Sequence, residues 1–312
     1  MHKHPEDTNV TENGCSALFY YPEYMLNLDI VVLQEPATTF FSSAIKVLLA
    51  SLGREKDAQK YEADIRGMMA SQAHRTNVQV TLTAGGVPVL QSVLLRHQAP
   101  PKVVYFAYKL LSSISAFYPL QIEVSSDMFE KLRRGIMDGN VCGSIMQTIV
   151  NITNTPALEI AEDDAAQIRV RMKNNITALF PGLCWILAAT QLHMRTKPLL
   201  LLSLKLLTNM AENAASNDMA GCIIESLGFS VVLDGMNCFR PDYGVQCQGA
   251  KATWALHRFG GVETIDENAK QRALQMLNIA ETLFVSADQR EIGTVAKNAR
   301  VLMQPEPIML DE

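Results

Sequence analysis

The sequence predicts an all-α fold in which short helical units stack on one another. Three observations lead to this prediction. Apolar residues recur at helical spacing, the one segment that alternates like a strand has no partner strand, and residue patterns repeat along the chain. The 312 residues are 48% hydrophobic and 19% charged, a composition typical of globular proteins. Wholesale disorder is therefore excluded, and the length is enough for a large core.

Two segments show the clearest helical periodicity, with apolar residues three or four positions apart on one face. In residues 103–117 this stripe is Phe106, Leu110, Ile114 and Phe117. Near the C-terminus it is Ala273, Leu277, Ala280 and Phe284. We expect each stripe to face the core.

Helix ends are predicted from capping residues. Thr264 with Glu267 three positions later forms a capping-box pattern, and Asp127 with Glu130 is a similar start. Glycines are common just past helix C-termini. The glycines expected to end helices are Gly53, Gly182, Gly260 and Gly261.

Residues 77–83 alternate polar and β-branched or apolar side chains, which is typical of a strand. No second convincing alternation supplies a partner strand. We therefore predict a helix here, with tertiary context overriding the local propensity.

Internal repetition is the strongest signal. Residues 1–19 and 236–254, which are 235 positions apart, share the pattern M-x5-D-x2-V-x3-G-[CA]-x-A-x-aromatic. Small residues such as Gly249, Ala250 and Ala252 allow a helix to pack closely between two neighbours, and Trp254 is expected to fill the next layer.

A second match pairs residues 84–90 with 227–233, an offset of 143. Gly85 and Gly228 then occupy the same position, which we predict to be a sharp turn with positive φ. A third match joins apolar helices in which a polar or aromatic residue is followed four positions later by another polar one. Four helices share this pattern, and their paired residues are Lys109 with Ser113, Gln147 with Asn151, Lys205 with Asn209, and Trp254 with Arg258. Residues 47–52 are a weaker copy.

The segments A-G-G-V-P-V-L (84–90), A-Y-K-L-L-S-S-I (107–114) and V-Q-C-Q-G-A-K-A-T-W-A-L (245–256) resemble armadillo repeats. The M-x5-D-x2-V-x3-G-[CA] pattern is similar to degenerate repeats of armadillo-containing scaffold proteins and of leucine-rich-repeat kinases. This resemblance implies a right-handed α-solenoid of irregular armadillo/HEAT-like repeats, as one domain over 1–312. Within it we expect irregular repeats at 1–79, the clearest repeats at 80–260, capping helices at 264–304 and a flexible tail at 305–312.

The repeats are expected to be irregular. Matching positions Ser113, Asn151, Asn209 and Arg258 are separated by 38, 58 and 49 residues, whereas a regular array would repeat every ~42 residues. The acidic stretch 155–165 is the expected insertion. The copy at Met1 corresponds to a third helix, so the first unit is either incomplete or cut short.

The resemblance implies that third helices line a concave groove where asparagines hold the backbone of an extended peptide. Candidate groove residues are Lys109, Ser113, Gln147, Asn151, Lys205, Asn209, Trp254 and Arg258. Other interpretations stay open: Asn151 and Asn209 as local hydrogen-bonding residues, Trp185 and Trp254 as core, and Lys205 and Arg258 as solvated charges. The asparagine-bearing helices lack tryptophan, unlike importin-α, so binding of nuclear-localisation signals is disfavoured.

These features favour a non-enzymatic scaffold or adaptor that binds a protein or peptide. The alternative is a structural subunit of a cytoskeletal, axonemal or organellar assembly, in which residues 103–108 and 199–202 supply apolar surface. A third alternative, an all-helical enzyme, is disfavoured because the sequence lacks nucleotide-binding, P-loop, zincin and hydrolase motifs. We expect no metal or cofactor, and the net charge of −5 argues against nucleic acid as a partner.

The expected location is the cytoplasm, with cytoskeletal or ciliary association left open. The N-terminus has early acidic residues and no apolar stretch of a signal peptide, and the six cysteines form no CxxC pair. Residues 180–192 are too few to span a bilayer, and residues 199–211 include Lys205 and Asn209. We therefore predict no transmembrane segment.

Overall fold

The computed structural model describes residues 78–79, 82–83, 85–95, 101–154, 162–261, 265–284 and 290–303. These residues form helices and the turns between them, with no strand, which confirms the all-α class. The strand-like segment is helical at Val78, Gln79, Leu82 and Thr83. The predictions for residues 1–77 and 304–312, including Gly53 and the first copy of the 235-residue repeat, lie outside the described residues.

The chain divides into two compact units, residues 1–122 and 123–312. The described part of the first contains α1 (Gly86–Leu94), α2 (Pro101–Phe117) and a 3₁₀ turn (Pro119–Gln121), with α1 packed on α2. The second unit carries the larger described part of the chain, and the rest of this section concerns it unless the first is named.

The second unit begins with α3 (Ser126–Arg134) and α4 (Gly139–Thr153). Then come α5 (Glu162–Leu179), a 3₁₀ turn (Phe180–Gly182), α6 (Leu183–Leu192) and α7 (Lys197–Glu212). The remaining helices are α8 (Asn217–Glu225), α9 (Gly228–Cys238), α10 (Tyr243–Gly260), α11 (Glu267–Leu283) and α12 (Arg290–Met303).

One local arrangement recurs three times in this unit: a short helix, a four-residue turn and a longer helix. The turn is closed each time by a backbone N–H that donates to the carbonyl three residues earlier. These bonds are Asp138 N to Gly135 O at 2.8 Å, Thr196 N to His193 O at 2.8 Å and Asp242 N to Phe239 O at 3.0 Å. The longer helices that follow are α4, α7 and α10.

These longer helices pack side by side in chain order, α4 against α7 and α7 against α10. The C-terminal helix α12 packs on α10 and on α11. Helices α8 and α9 cover another side of α10. Thus α10 is surrounded, and its sequence explains how so many neighbours approach it.

Small residues of α10 make this packing possible, as predicted. Gly249, Ala250 and Ala252 are all buried, and a Cβ added to Gly249 would lie 2.4 Å from Cγ of Met236 on α9. A Cβ on Gly260 would lie 2.5 Å from Cδ1 of Ile224 on α8. Trp254 does not fill a core layer, however, because its side chain is partly exposed on a different face of the helix.

The predicted stripe in α2 is rotated relative to the one observed. Phe106, Leu110 and Phe117 are partly exposed, although Ile114 is buried. The fully packed side chains are instead Val104, Tyr108, Leu111 and Ser115, which also follow helical spacing. Small buried serines (Ser112, Ser115) on this face hid it from an apolar-only count. The α11 stripe, in contrast, is confirmed, since Ala273, Leu277, Ala280 and Phe284 are all buried.

The offset of 143 is wrong by one residue. Gly85 has φ of +73° as predicted, but the residue with matching geometry is Leu227, with φ of +68°. The next residues, Gly86 and Gly228, each begin a helix, so the structural offset is 142. Gly228 is required for close approach instead, since its added Cβ would lie 2.6 Å from the Ile223 carbonyl oxygen.

Several predicted helix ends shift by a few residues. Helix α11 is capped by Asp266, which accepts from the Ala269 N–H at 2.9 Å, and begins at Glu267, so Thr264 is not its cap. Helix α3 begins at Ser126, which places Asp127 in its first turn. Gly182 ends a 3₁₀ turn, and Gly261, with φ of +88°, follows the last residue of α10, as predicted.

The acidic insertion is shorter than expected, because Glu162, Asp163 and Asp164 belong to α5 and residues 155–161 lie outside the described part.

Within the described residues, one helical stretch is long and apolar enough to cross a membrane, Gln167–Leu192, and the bent pair α8 and α9 would count as a second if taken as one span. Half of the most apolar 18-residue window in the first stretch is buried inside the protein. Core helices of water-soluble proteins pass the same test, so the absence of a transmembrane segment stays a prediction.

Candidate functional site

The candidate site is a surface cleft of about 530 Å³ that crosses α7 and α10. It is bounded by Asn154 at the end of α4 and by Val295 and Asn298 on α12. The other lining residues are Lys205, Thr208, Asn209 and Glu212 on α7, and Gln248, Lys251 and Trp254 on α10. Four packed helices therefore contribute side chains to one surface.

Helices α7 and α10 run parallel beneath the cleft. Gln248 Nε2 lies 3.4 Å from Thr208 Oγ1, and one helical turn further along both helices Lys251 interacts electrostatically with Glu212. The two helices also begin side by side, where Lys197 at the start of α7 pairs with Asp242 at the cap of α10, so they run in the same direction. Each helix presents a row of side chains three or four residues apart, which is the spacing of neighbours on one helical face.

Asn209 links α7 to the end of α4. Its amide nitrogen donates to Asn154 Oδ1 at 2.9 Å and to Thr153 Oγ1 at 3.3 Å. Its side-chain oxygen accepts no hydrogen bond from the described residues. Because an amide oxygen has acceptor lone pairs, Asn209 can accept an N–H from a bound molecule while both of its donors hold the protein together.

Charge in the cleft is unevenly distributed. Lys205 and Lys251 are cationic and Glu212 is the single carboxylate among the lining residues. Burial raises the pKa of Glu212, and Lys251 partly opposes this shift. Lys205 is exposed, and among the described residues it has no ion-pair partner. This surface is therefore locally basic on a chain whose net charge is −5.

Trp254 supplies an aromatic surface at one end. Its ring is partly exposed and meets the Phe259 ring edge-on, with centroids 5.9 Å apart. The Arg258 guanidinium lies 5.6 Å from the Trp254 centroid, a cation–π contact. Trp185 on α6 has a similar partner, with the Arg133 guanidinium 5.9 Å from its centroid. Neither tryptophan is a fully buried core residue.

The structure brings together part of the predicted groove. Lys205, Asn209 and Trp254 line the cleft, and Arg258 lies against Trp254. Gln147 and Asn151 are not among the lining residues; Gln147 Nε2 donates to Asn151 Oδ1 at 2.8 Å within α4. Lys109 and Ser113 belong to the first unit, where the Ser113 hydroxyl donates to the Lys109 carbonyl.

Sequence reasoning missed the rest of the cleft, although part of it continues the predicted rows. Glu212 follows Asn209 by three residues, Asn154 follows Asn151 by three, and Gln248, Lys251, Trp254 and Arg258 follow one another at steps of three, three and four. Extending the α4 and α7 rows by one turn, and the α10 row by two, would have found these residues. Val295 and Asn298 gave no such signal, because α12 carries no recognised repeat pattern.

The apolar surface expected for an assembly subunit is largely absent. Val103, Val104 and Tyr108 are buried in the first unit, and Leu199 and Leu200 are buried in the second. The neighbouring Tyr105, Phe106, Leu201 and Leu202 are partly covered. The hypothesis of an assembly subunit stays a prediction, and these two segments do not support it.

Among the described residues, no group of three or more His, Cys, Asp or Glu side chains is arranged to hold a metal ion.

No protein-family model, curated protein or solved structure gives a significant match to this chain. The resemblance to armadillo repeats therefore rests on the residues quoted above.

Proposed function

We propose that this protein is a non-enzymatic interaction module that binds an extended segment of another protein in the cleft between α7 and α10. The helices would stack as a right-handed solenoid of irregular armadillo/HEAT-like repeats. The observation that carries the proposal is the cleft itself, in which amides, lysines and an aromatic ring from four helices face one open surface.

The local geometry supports a stack of repeats. The recurring turn before α4, α7 and α10, and the parallel course of α7 and α10, are what successive units of one repeat would produce. A single unit of this kind cannot bury its apolar face alone, so neighbours share a core and leave a continuous polar surface. Such extended surfaces are suited to long partners rather than to small enclosed substrates.

The chemistry of the lining also favours a macromolecular segment. Asn209 has a free acceptor, Gln248 and Asn298 carry amides that both donate and accept, and Trp254 offers apolar surface. An extended backbone presents alternating N–H and C=O groups that such amides can bind.

Site-specific photo-crosslinking tests this proposal. A benzophenone amino acid is placed at position 248 in the cleft of the full chain, and the chain is irradiated in its native cells. We expect a discrete crosslinked partner, identified by mass spectrometry, from position 248 and not from the control position 173, an exposed residue on α5. Equal crosslinking at both positions, or none at 248, would refute a partner in this cleft.

A further inference from the structure

Charge and aromatic groups along the cleft point to a specific class of segment. Two cationic side chains, Lys205 and Lys251, lie on neighbouring parallel helices, and Trp254 follows Lys251 by three residues. Arg258 continues this row at the Trp254 ring. Against these cations, the lining residues include one carboxylate, Glu212, which lies beside Lys251.

We infer that the cleft selects an extended acidic peptide segment with two carboxylates about four residues apart and an apolar side chain just beyond the second. This inference rests on the proposed function and adds the chemistry of the partner. It follows from the spacing of Lys205, Lys251 and Trp254 along the two helices.

The spacing is set by helix geometry. Lys251 is level with Glu212, which is seven residues beyond Lys205 on the parallel helix α7. At a rise of 1.5 Å per residue this is ~10 Å along the helix axes. The axes of packed helices are ~8–10 Å apart, so the two lysine positions are ~14 Å from each other. An extended chain advances ~3.3 Å per residue, so four residues span the two lysines. Trp254 lies ~4.5 Å further, one or two residues of an extended chain.

The electrostatic environment favours carboxylates over cations. Lys205 has no ion-pair partner among the described residues, so an incoming acidic side chain meets a cation that is not already neutralised. A basic segment would face two lysines and the nearby Arg258, and like charges across an interface oppose association.

A strand of nucleic acid is also anionic, but the net negative charge of the chain disfavours its binding. The net charge is −5, and binding phosphates along a strand requires a broad basic face. The cleft has two lysines spaced for two carboxylates rather than a continuous basic path.

Peptide selection tests the inference directly. The probe is a random twelve-residue peptide library displayed on phage, selected against the full chain. We expect enrichment of Asp or Glu pairs about four positions apart with a neighbouring apolar residue. The strongest sequence is then synthesised with a fluorescein label, and its affinity is measured by fluorescence anisotropy.

Charge variants then locate the binding. Lys205→Glu and Lys251→Glu should each weaken this peptide by roughly tenfold or more, because each reversal replaces attraction by repulsion. Lys205→Gln and Lys251→Gln should weaken it less, and Lys173→Glu, on exposed α5 surface, should leave it unchanged. Circular dichroism melting of every variant verifies folding, and the glutamine variants replace any reversal that unfolds.

The outcomes separate the two levels of the proposal. Enriched peptides that are neutral or basic, yet lose binding in Trp254→Ala, would overturn the acidic preference and leave the peptide-binding function standing. Tighter binding of a labelled twenty-residue oligothymidylate than of any peptide would overturn the inference in favour of nucleic acid. Failure to enrich any peptide would overturn the inference, and together with absent crosslinking at position 248 it would overturn the proposed function too.

Discussion

The two faces of α10 differ in what surrounds them: one packs against neighbouring helices and the other lines the cleft proposed to bind a peptide. On the buried face, Gly249 and Ala252 have small side chains because α9 and other helices approach closely. On the cleft face, Gln248, Lys251 and Trp254 are long and polar or aromatic, and each is partly exposed. Residues only one position apart along the chain therefore have different roles, and substitutions at them should have separable effects on stability and on binding.

The largest effect is expected for Gly249→Leu on the packed face. Its added Cβ alone would lie 2.4 Å from Met236 Cγ, so the side chain must displace α9. Overpacking of this kind costs ~1–3 kcal/mol of unfolding free energy. Urea denaturation of the wild type and the variant gives the difference.

A glycine on another helix provides the matched control. At Gly143 on α4, no atom lies within 4 Å of an added Cβ. Gly143→Ala should therefore stabilise by up to ~1 kcal/mol through helix propensity, whereas Gly249→Ala should destabilise. Similar changes at both positions would mean that the α9–α10 contact is wrong.

A smaller effect is expected for Asp242→Ala, which acts on the start of α10. The Asp242 carboxylate caps the helix through the Val245 N–H at 3.0 Å and pairs with Lys197 of α7. Its loss should cost ~1 kcal/mol of unfolding free energy. Asp218→Ala, in the first turn of α8 but not at its cap, should cost less.

The Asp242 effect should depend on pH. Burial by itself raises the pKa of Asp242, but bonds from Lys197 and the Val245 and Gly244 N–H groups outweigh it, so the net pKa is lowered. A lowered folded-state pKa means that the contribution is present above the unfolded-state value of ~3.9 and is lost as pH falls through the folded value. The stability difference between wild type and Asp242→Ala should accordingly shrink in acid; a difference that is constant down to pH 2.5 would contradict the assigned pairing.

His257, on the buried side of α10, should give a pH dependence at milder acidity. Burial, with a further contribution from Lys270, lowers its pKa, and its Nε2 is buried with no hydrogen-bond partner among the residues that the structure describes. The unfolded chain therefore takes up a proton first, and stability falls as pH decreases from the unfolded-state value of ~6.5 towards the folded value. His257→Gln should lose less stability than the wild type between pH 7.5 and pH 5.5 in urea titrations. Equal losses in both proteins would show that His257 is not penalised by burial.

The smallest effect on stability is expected on the cleft face. Lys205→Glu with Arg258→Glu should leave the unfolding free energy within ~1 kcal/mol, because exposed charges and a single exposed cation–π contact contribute little. Crosslinking of the partner from position 248 should fall strongly in the same double variant. The control is Arg169→Glu with Lys173→Glu, which reverses two exposed charges one turn apart on α5. Unfolding of the cleft variant would show that Lys205 and Arg258 are structural.

The fold was predictable where sequence pattern and packing requirement coincide. Asp242 and Gly249 stand at fixed positions of a repeated pattern because one caps a helix and the other admits a neighbour, and both functions are local. The predicted core face of α2 was wrong because the buried face contains serines, which an apolar pattern does not count. The residue with positive φ was predicted one position too late, at Gly228. Leu227 adopts this left-handed conformation, which sequence rules assign to glycine.

The candidate site was predictable only where a single helix carried the pattern. Lys205 with Asn209, and Trp254 with Arg258, were found from spacing of four along one chain segment. The contributions of Asn154, Val295 and Asn298 depend on how separate helices pack, and no spacing along the sequence encodes that. Trp254 shows the limit most clearly, since its size suggested a core position and its neighbours leave it partly open.

The hydrogen bonds of Asn209 have one consequence for the proposed peptide. Because both amide hydrogens already bridge to α4, this side chain offers an occupant only a lone pair. In an extended peptide the donor nearest to it would be a backbone N–H, which proline lacks. A binding segment should tolerate proline at its ends but not at the position that faces Asn209.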